Sequence, residues 1–325
     1  MNLSQNSPTV KHLVLVGGGH SHLAVLKSLG MKPVPGLAIT LISRDIKTPY
    51  SGSLPAYITG FYDFDSIHID LRPLAQFAGA RIIQEELTSI DFDKKTIEFS
   101  SSRPDIEFDI ISLNIGSEPD AIKIPGAAEF AIGIKPIGLL IERWEEIYRT
   151  VIDGYKSKGT SFRLAIIGGG PASIEFAFAA QQRISDSLKL RLLEDSPLKL
   201  KIVCADQILL RAHNSKVREF IQEELYRRGI EILTDHRVCE FKKSKIFCED
   251  RDSILADAII FATGASIPSW PIDAGLNESS DGFIEINQSL QTTSHEYVFA
   301  TGDAATIKGE PRPKSGVFAV RQGKY

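Results

Sequence analysis

The chain has 325 residues, 43% hydrophobic and 24% charged, with a formal net charge of -4. That is enough for two domains with full apolar cores and a globular composition. It offers no basic stripe for a nucleic-acid partner and no apolar run near the ~20 residues that span a bilayer as a transmembrane segment. Three cysteines, Cys204, Cys239 and Cys248, are too few and too irregularly spaced for a disulfide framework or a zinc site, and they fit a reducing cytoplasm.

In chain order, residues 12–26 (HLVLVGGGHSHLAVL) read as a short apolar strand, three glycines and a helix. A second strand is predicted at Ala38–Ile42, a helix-like stretch at 70–78 and a third strand at 80–84. A β-meander over 87–99 turns at Asp93-Lys94-Lys95, and a strand then runs from Asp109 to Gly116. Residues 163–177 (RLAIIGGGPASIEFA) restart the pattern, with Gly168 placed 151 residues after Gly17. There the second strand is expected at Leu188–Leu193, the helix-like stretch at 215–228 and the third strand at 230–233. A meander over 236–249 turns at Lys242-Lys243-Ser244, and a strand runs from Asp257 to Gly264. Residues 283–325 have no counterpart: a strand at Tyr297–Ala300 enters Thr301-Gly302-Asp303, and a helix begins near Val317. That helix stops at Tyr325, which points to truncation of a longer parent chain.

The repeat predicts an α/β fold of two Rossmann-like units, each carrying a β-meander. The simplest topology inserts the second in the first. Residues 1–120 and 280–325 then form one domain and residues 121–279 the other, with crossings marked by Pro119, Pro125 and Gly126 and by Pro268, Pro271 and Gly275.

A strand that ends in glycines and opens a helix is an anion trap. Without Cβ atoms the backbone can approach a pyrophosphate, and the first helical turn points its free N–H groups and positive dipole at it. Gly17 and Gly19 take the two phosphate positions in the first half, Gly168 and Gly170 in the second; the third position, which governs helix–strand packing, is His22 and Ser173 respectively. His20 and His22 lie at that helix start, and two histidines at i and i+2 diverge on a helix, so no metal site is expected. An acid after the second strand accepts bonds from a ribose and repels a 2′-phosphate. Glu194, followed by Asp195, is assigned that place in the second half and favours NADH, although Arg191 argues for NADPH. In the first half the place holds Ser43-Arg44-Asp45, where the Ser43 hydroxyl can bond ribose.

The glycine triplets, Ala262-Thr263-Gly264 and Phe299-Ala300-Thr301-Gly302-Asp303 together resemble the two-dinucleotide-fold flavoproteins, the pyridine nucleotide-disulfide oxidoreductase superfamily, and type II NADH dehydrogenases in particular. The resemblance implies an FAD-dependent NAD(P)H oxidoreductase, with FAD on the first domain and NADH or NADPH on the inserted one. It makes Asp303 a ligand of the FAD ribityl chain and adds Gly116, Gly264 and Gly302 to the cofactor loops. GGGHSH at Gly17–His22, TPYSGSLP from Thr48, SLNIGS from Ser112 and PKSGVFAVRQ from Pro313 are similar to the flavoprotein fused ahead of selenide, water dikinase. That likeness implies a fused or associated kinase and a link to selenium metabolism. By resemblance, Tyr50 lies beside the isoalloxazine ring, Glu175 at the nicotinamide–flavin contact, and Lys314 at the pyrimidine end, where a cation stabilises reduced flavin. The second acceptor is left open among a quinone, a selenium or sulfur compound, and oxygen. A sulfide:quinone oxidoreductase and a non-catalytic nucleotide-binding module are the rival readings. The first needs cysteines near the flavin, and residues 121–160 and 283–325 contain none.

Overall fold

The structure, a computed structural model, describes residues 11–99, 101–190, 196–312, 314 and 316–323. Its helices are α1 (His20–Met31), α2 (Leu54–Ile58), α3 (Leu71–Phe77), α4 (Ala127–Phe130), α5 (Ile137–Lys158), α6 (Pro171–Leu188), α7 (Ser215–Arg227), α8 (Trp270–Asp273) and α9 (Gly316–Gln322). No helix among the described residues is long and apolar enough to cross a membrane. The chain divides into two compact units: Met1–Tyr50, His68–Ser117 and Ala265–Tyr325 form the first, Ser51–Ile67 and Glu118–Gly264 the second.

The first unit is built on a five-stranded parallel sheet in the order Val298–Ala300, Ile110–Leu113, Lys11–Val16, Leu37–Ser43, Arg81–Gln84. Its first strand is apolar on both faces because the sheet is covered on both faces. Val14 and Val16 pack with the meander residues Phe92 and Ile97, whereas Leu15 packs with Leu26, Leu41 and Leu71 under α1 and α3. The meander is a three-stranded antiparallel sheet of Leu87–Asp91, Thr96–Phe99 and Ile106–Glu107. Helix α9 docks on α1, where the Ser21 hydroxyl donates to the Ala319 carbonyl at 2.7 Å.

The second unit repeats the plan. Its parallel order is Ile132–Gly133, Ala258–Phe261, Phe162–Ile167, Leu198–Val203, Glu231–Leu233. Leu164 and Ile166 pack with α5 and α6, while Ala165 and Ile167 face Phe241 and Ile246 of an antiparallel meander over Val238–Lys242, Lys245–Cys248 and Arg251–Leu255.

Four features differ from the sequence reading. The second strand of the second unit is Leu198–Val203, not Leu188–Leu193, because α6 continues to Leu188 and ends at Lys189 with φ of 53°. Residues 51–67 join the second unit, because Leu54, Tyr57, Ile58 and Ile67 are buried in its core. There the Tyr57 hydroxyl donates to Glu145 at 3.1 Å, and Arg183 clamps the same carboxylate at 2.7 and 3.1 Å. Residues 265–279 fall in the first unit, where Leu276 is buried against the sheet cluster. Helix α5, not anticipated from sequence, buries Leu140, Ile141, Trp144, Ile147, Val151 and Ile152.

Candidate functional site

In each unit the strand order reverses beside the first strand, and the crevice at that switch point is where open parallel sheets bind ligands. In the first unit it lies between the loops that leave Lys11–Val16 and Ile110–Leu113; in the second, between those that leave Phe162–Ile167 and Ala258–Phe261. Both crevices are lined by glycine for the same reason. A Cβ on Gly17 would lie 2.2 Å from the Asn114 carbonyl oxygen, and one on Gly168 would lie 2.6 Å from the Ala262 carbonyl oxygen. Both glycines also have positive φ, 95° and 126°.

The turn 17–19 leads into α1, whose N-cap Gly19 provides no side-chain cap and whose first turn contains no acid, leaving its amide donors for an anion. His20 Nε2 and Asn114 Oδ1 are buried there with no hydrogen-bond partner among the described residues, polar atoms that a nucleotide would satisfy. Burial lowers the His20 pKa, while the charge of Asp303 opposes the shift. The Tyr50 ring lies 5.2 Å from the His20 ring. Ser43 lies under the turn, its hydroxyl donating to the Asp45 carbonyl at 2.7 Å.

The loop of Gly302 and Asp303 is fastened to the same crevice. Asn114 Nδ2 donates to the carbonyl and the hydroxyl of Thr301, both at 3.0 Å, and the Gly302 amide donates to Gln322 of α9 at 2.6 Å. The Ser117 hydroxyl lies 3.4 Å from the Asp303 carboxylate. Gly116, with φ of 76°, has open space where a side chain would stand. Gly17, Gly19, His20, Tyr50, Asp303 and the Gly116 loop thus share the first unit, and these residues fit a flavin dinucleotide with its pyrophosphate at α1. Asn114 was not singled out from sequence, since its role exists only once two distant loops meet.

His22, in the third glycine position, is fully buried as a packing bridge. Its Nδ1 lies 2.7 Å from the Gly17 carbonyl and its Nε2 2.9 Å from the Ser112 hydroxyl, and burial depresses its pKa from 6.5 to about 4. The unfolded chain therefore takes up this proton first. The stability contributed by the neutral ring is complete above pH 6.5 and is lost as pH falls toward 4. Between pH 7 and pH 5 this group is expected to remove about 2 kcal/mol. Urea unfolding at both pH values, with His22→Asn as reference, measures it; a parent that loses no more than the variant would refute the assignment.

In the second unit α6 opens at Gly170, again without a side-chain cap or a first-turn acid, and Gly170 faces open space. Ser173, the third position, is buried. Glu194 and Asp195, assigned to the ribose, lie outside the described residues, as does Arg191. The basis for that assignment is corrected: the strand adjoining the glycine turn ends at Val203, so the residue after it is Cys204. Cys204 is buried, and its Sγ would lie 2.5 Å from a Cβ on Gly169. Burial raises its pKa, which keeps the thiol neutral. Gly264 packs on Asp120, whose amide donates to the Gly264 carbonyl at 2.9 Å. Cys239 and Cys248 lie in the meander.

Glu175 lies on α6 at the edge of a largely apolar cavity of about 110 Å³, lined also by Leu54, Pro55, Ile137 and Phe176. Its side chain is exposed at the surface, and partial desolvation beside the cavity raises its carboxyl pKa. Lys314 belongs to the first unit, where its ammonium donates to the Ala305 carbonyl and the Thr306 hydroxyl, both at 2.6 Å.

Paired dinucleotide crevices, one completed by an aspartate loop from the end of the chain, define a flavin- and pyridine-nucleotide-dependent oxidoreductase. Residues 11–323 match the family described as pyridine nucleotide-disulphide oxidoreductase, and the chain belongs to it. Among its relatives, NADH dehydrogenase-like protein YutJ of Bacillus subtilis (strain 168) is 23% identical over 309 residues, covering 93% of this chain and 79% of its own. Demethylphylloquinone reductase NdbB of Synechocystis sp. is 23% identical over 335 residues, with 96% and 77% covered. The NDH2 structure from Plasmodium falciparum in complex with NADH superposes with a TM-score of 0.78 at 16% identity, over 91% of this chain and 64% of that one. The water-forming NADH oxidase from Lactobacillus brevis bound to NADH gives 0.79 at 17% identity, over 96% and 68%.

Proposed function

We propose that the chain takes hydride from NADH or NADPH onto FAD and hands the electrons to a second acceptor of the quinone class. The observation that carries this reading is the duplicated crevice, one copy joined to Asp303. FAD supplies the hydride-accepting ring when bound; the protein supplies binding, orientation and electrostatics. The amides at the start of α1 and the His20 ring hold the pyrophosphate, Gly302 and Asp303 the ribityl chain, and Tyr50 flanks the ring. The turn 168–170 holds the pyrophosphate of the pyridine nucleotide, and Glu175 orients its nicotinamide beside the apolar cavity. A quinone is favoured because the Synechocystis relative is named a demethylphylloquinone reductase. The motif likeness to the flavoprotein fused ahead of selenide, water dikinase makes a selenium or sulfur compound the next acceptor to assay, in a cytoplasmic setting.

A neutral thiol at position 204 does not repel a 2′-phosphate as a carboxylate would. Purified protein is expected to carry FAD, and anaerobic addition of NADH or NADPH to bleach it. The two kcat/KM values should lie within about tenfold, or 1.4 kcal/mol. Absence of bound FAD, or no bleaching by either nucleotide, would overturn the function. A strong NADH preference would overturn only the reading of Cys204.

A further inference from the structure

Lys314 is a half-buried cation with two hydrogen bonds, one to the Ala305 carbonyl at the end of the cofactor loop and one leading away from it. Its Nζ stands 3.6 Å over the Phe283 ring and donates to the buried Thr306 hydroxyl at 2.6 Å. Thr306 in turn donates to Asp281 Oδ2 at 3.0 Å. Asp281 is exposed on a turn, its other oxygen 2.6 Å from the Ser279 hydroxyl. The chain ammonium–hydroxyl–carboxylate therefore begins in a half-buried setting and ends in water, while a second bond from the ammonium to the Ala305 carbonyl at 2.6 Å holds Lys314 in place. All three residues belong to the first unit.

We propose that Asp281, Thr306 and Lys314 form a proton relay that exchanges the Lys314 proton with solvent during flavin turnover, an inference that rests on the flavin reading of the Asp303 loop. The step balances without any further reactant. Lys314 passes a proton to Thr306 Oγ1, the hydroxyl releases its own to Asp281 Oδ2, and the neutral carboxyl gives it to water. The reverse reloads the amine. Flavin reduction by a pyridine nucleotide is a two-electron reaction that takes up a proton, and reoxidation gives it back, so a site removed from water needs a path that works in both directions. Lys314 is suited to carry the proton because burial draws its pKa down to about 8, within reach of neutral pH. The charges that oppose the shift are Asp281 and Asp303. Thr306 and Asp281 act through Lys314 and are positioning residues.

Two measurements on the full chain test the relay. Competitive acylation of lysines across pH 6–10, read by mass spectrometry on the Lys314 peptide, gives the ionisation of the amine. Asp281→Asn is expected to shift that curve to lower pH, because one of the two opposing charges is gone. Anaerobic stopped-flow reduction and reoxidation of the flavin, in water and in deuterium oxide, reads the proton step. Thr306→Val is expected to slow it at least about tenfold and enlarge the solvent isotope effect, on the scale typical of proton transfer by a positioned group. Thr306→Ser, which keeps the hydroxyl, is expected to restore the parent profile. A valine variant that matches the parent, or an Asp281→Asn labelling curve that matches the parent, overturns the relay. A parent protein without flavin overturns the flavin reading instead, and its labelling curve still decides whether Lys314 is coupled to Asp281.

Discussion

Gly17→Ala is expected to yield a protein that retains no flavin. The new methyl would lie 2.2 Å from the Asn114 carbonyl oxygen and 2.7 Å from its carbon, both backbone atoms with no side chain to rotate away. The residue would also have to hold φ of 95°, a conformation that costs an L-residue roughly 1–2 kcal/mol before any contact is counted. Relief requires the two loops that form the crevice to separate, which also displaces Asn114 from Thr301. Gly79 is the control, since it has φ of 65° with nothing within 4 Å of a Cβ. Gly79→Ala therefore meets the φ penalty alone, about 1 kcal/mol, and should keep its flavin. Flavin content per chain and thermal unfolding distinguish the two. Full flavin in Gly17→Ala would show that the crevice is not the dinucleotide site.

Glu175→Gln should slow reduction of bound flavin by NADH by about a hundredfold, the scale at which a misplaced reactant or a lost proton-handling group is felt. A purely structural account of Glu175 places it as an acid stabilised by the helix dipole. That account is weak here, because α6 begins at Pro171 and its first turn has no acid, and the dipole effect falls off beyond that turn. Desolvation beside the apolar cavity raises the carboxyl pKa, so the parent's rate should carry an inflection above the ordinary glutamate value that the glutamine variant lacks. Single-turnover anaerobic reduction across pH gives both quantities. Unchanged rates, with stability lowered by a few tenths of a kcal/mol, would leave Glu175 a helix residue and nothing more.

The glycine turns could be read from sequence because their neighbours are local: strand, turn and helix follow one another, and a short continuous apolar run ends at Gly17 and at Gly168. The second strand of the second unit could not be placed. Residues 188–193 (LKLRLL) and 198–203 (LKLKIV) alternate alike, and the usual stop signal is missing, since α6 ends on Lys189 in the left-handed region rather than on glycine. Helix α5 did carry a signal, the apolar spacing of Leu140, Ile141, Trp144, Ile147 and Val151 closed by Gly159 at φ of 64°. Asn114 and the Glu145–Arg183–Tyr57 cluster could not be found, because each depends on partners 38 or more residues away. The fastening of Gly302 by Gln322 could be drawn only after the last helix was seen against α1.

That last contact carries a consequence for how the molecule is made. Ser21 and Ala319 are 298 positions apart, and the strand Val298–Ala300 closes one edge of the sheet that Lys11–Val16 begins. A ribosome completes residues 118–264 before it has made the pieces that finish the first unit. The second unit is thus expected to fold cotranslationally while the opening strand and helix wait, their apolar faces in the care of chaperones. Flavin capture then has to wait until the strand Val298–Ala300 and the Asp303 loop have been made.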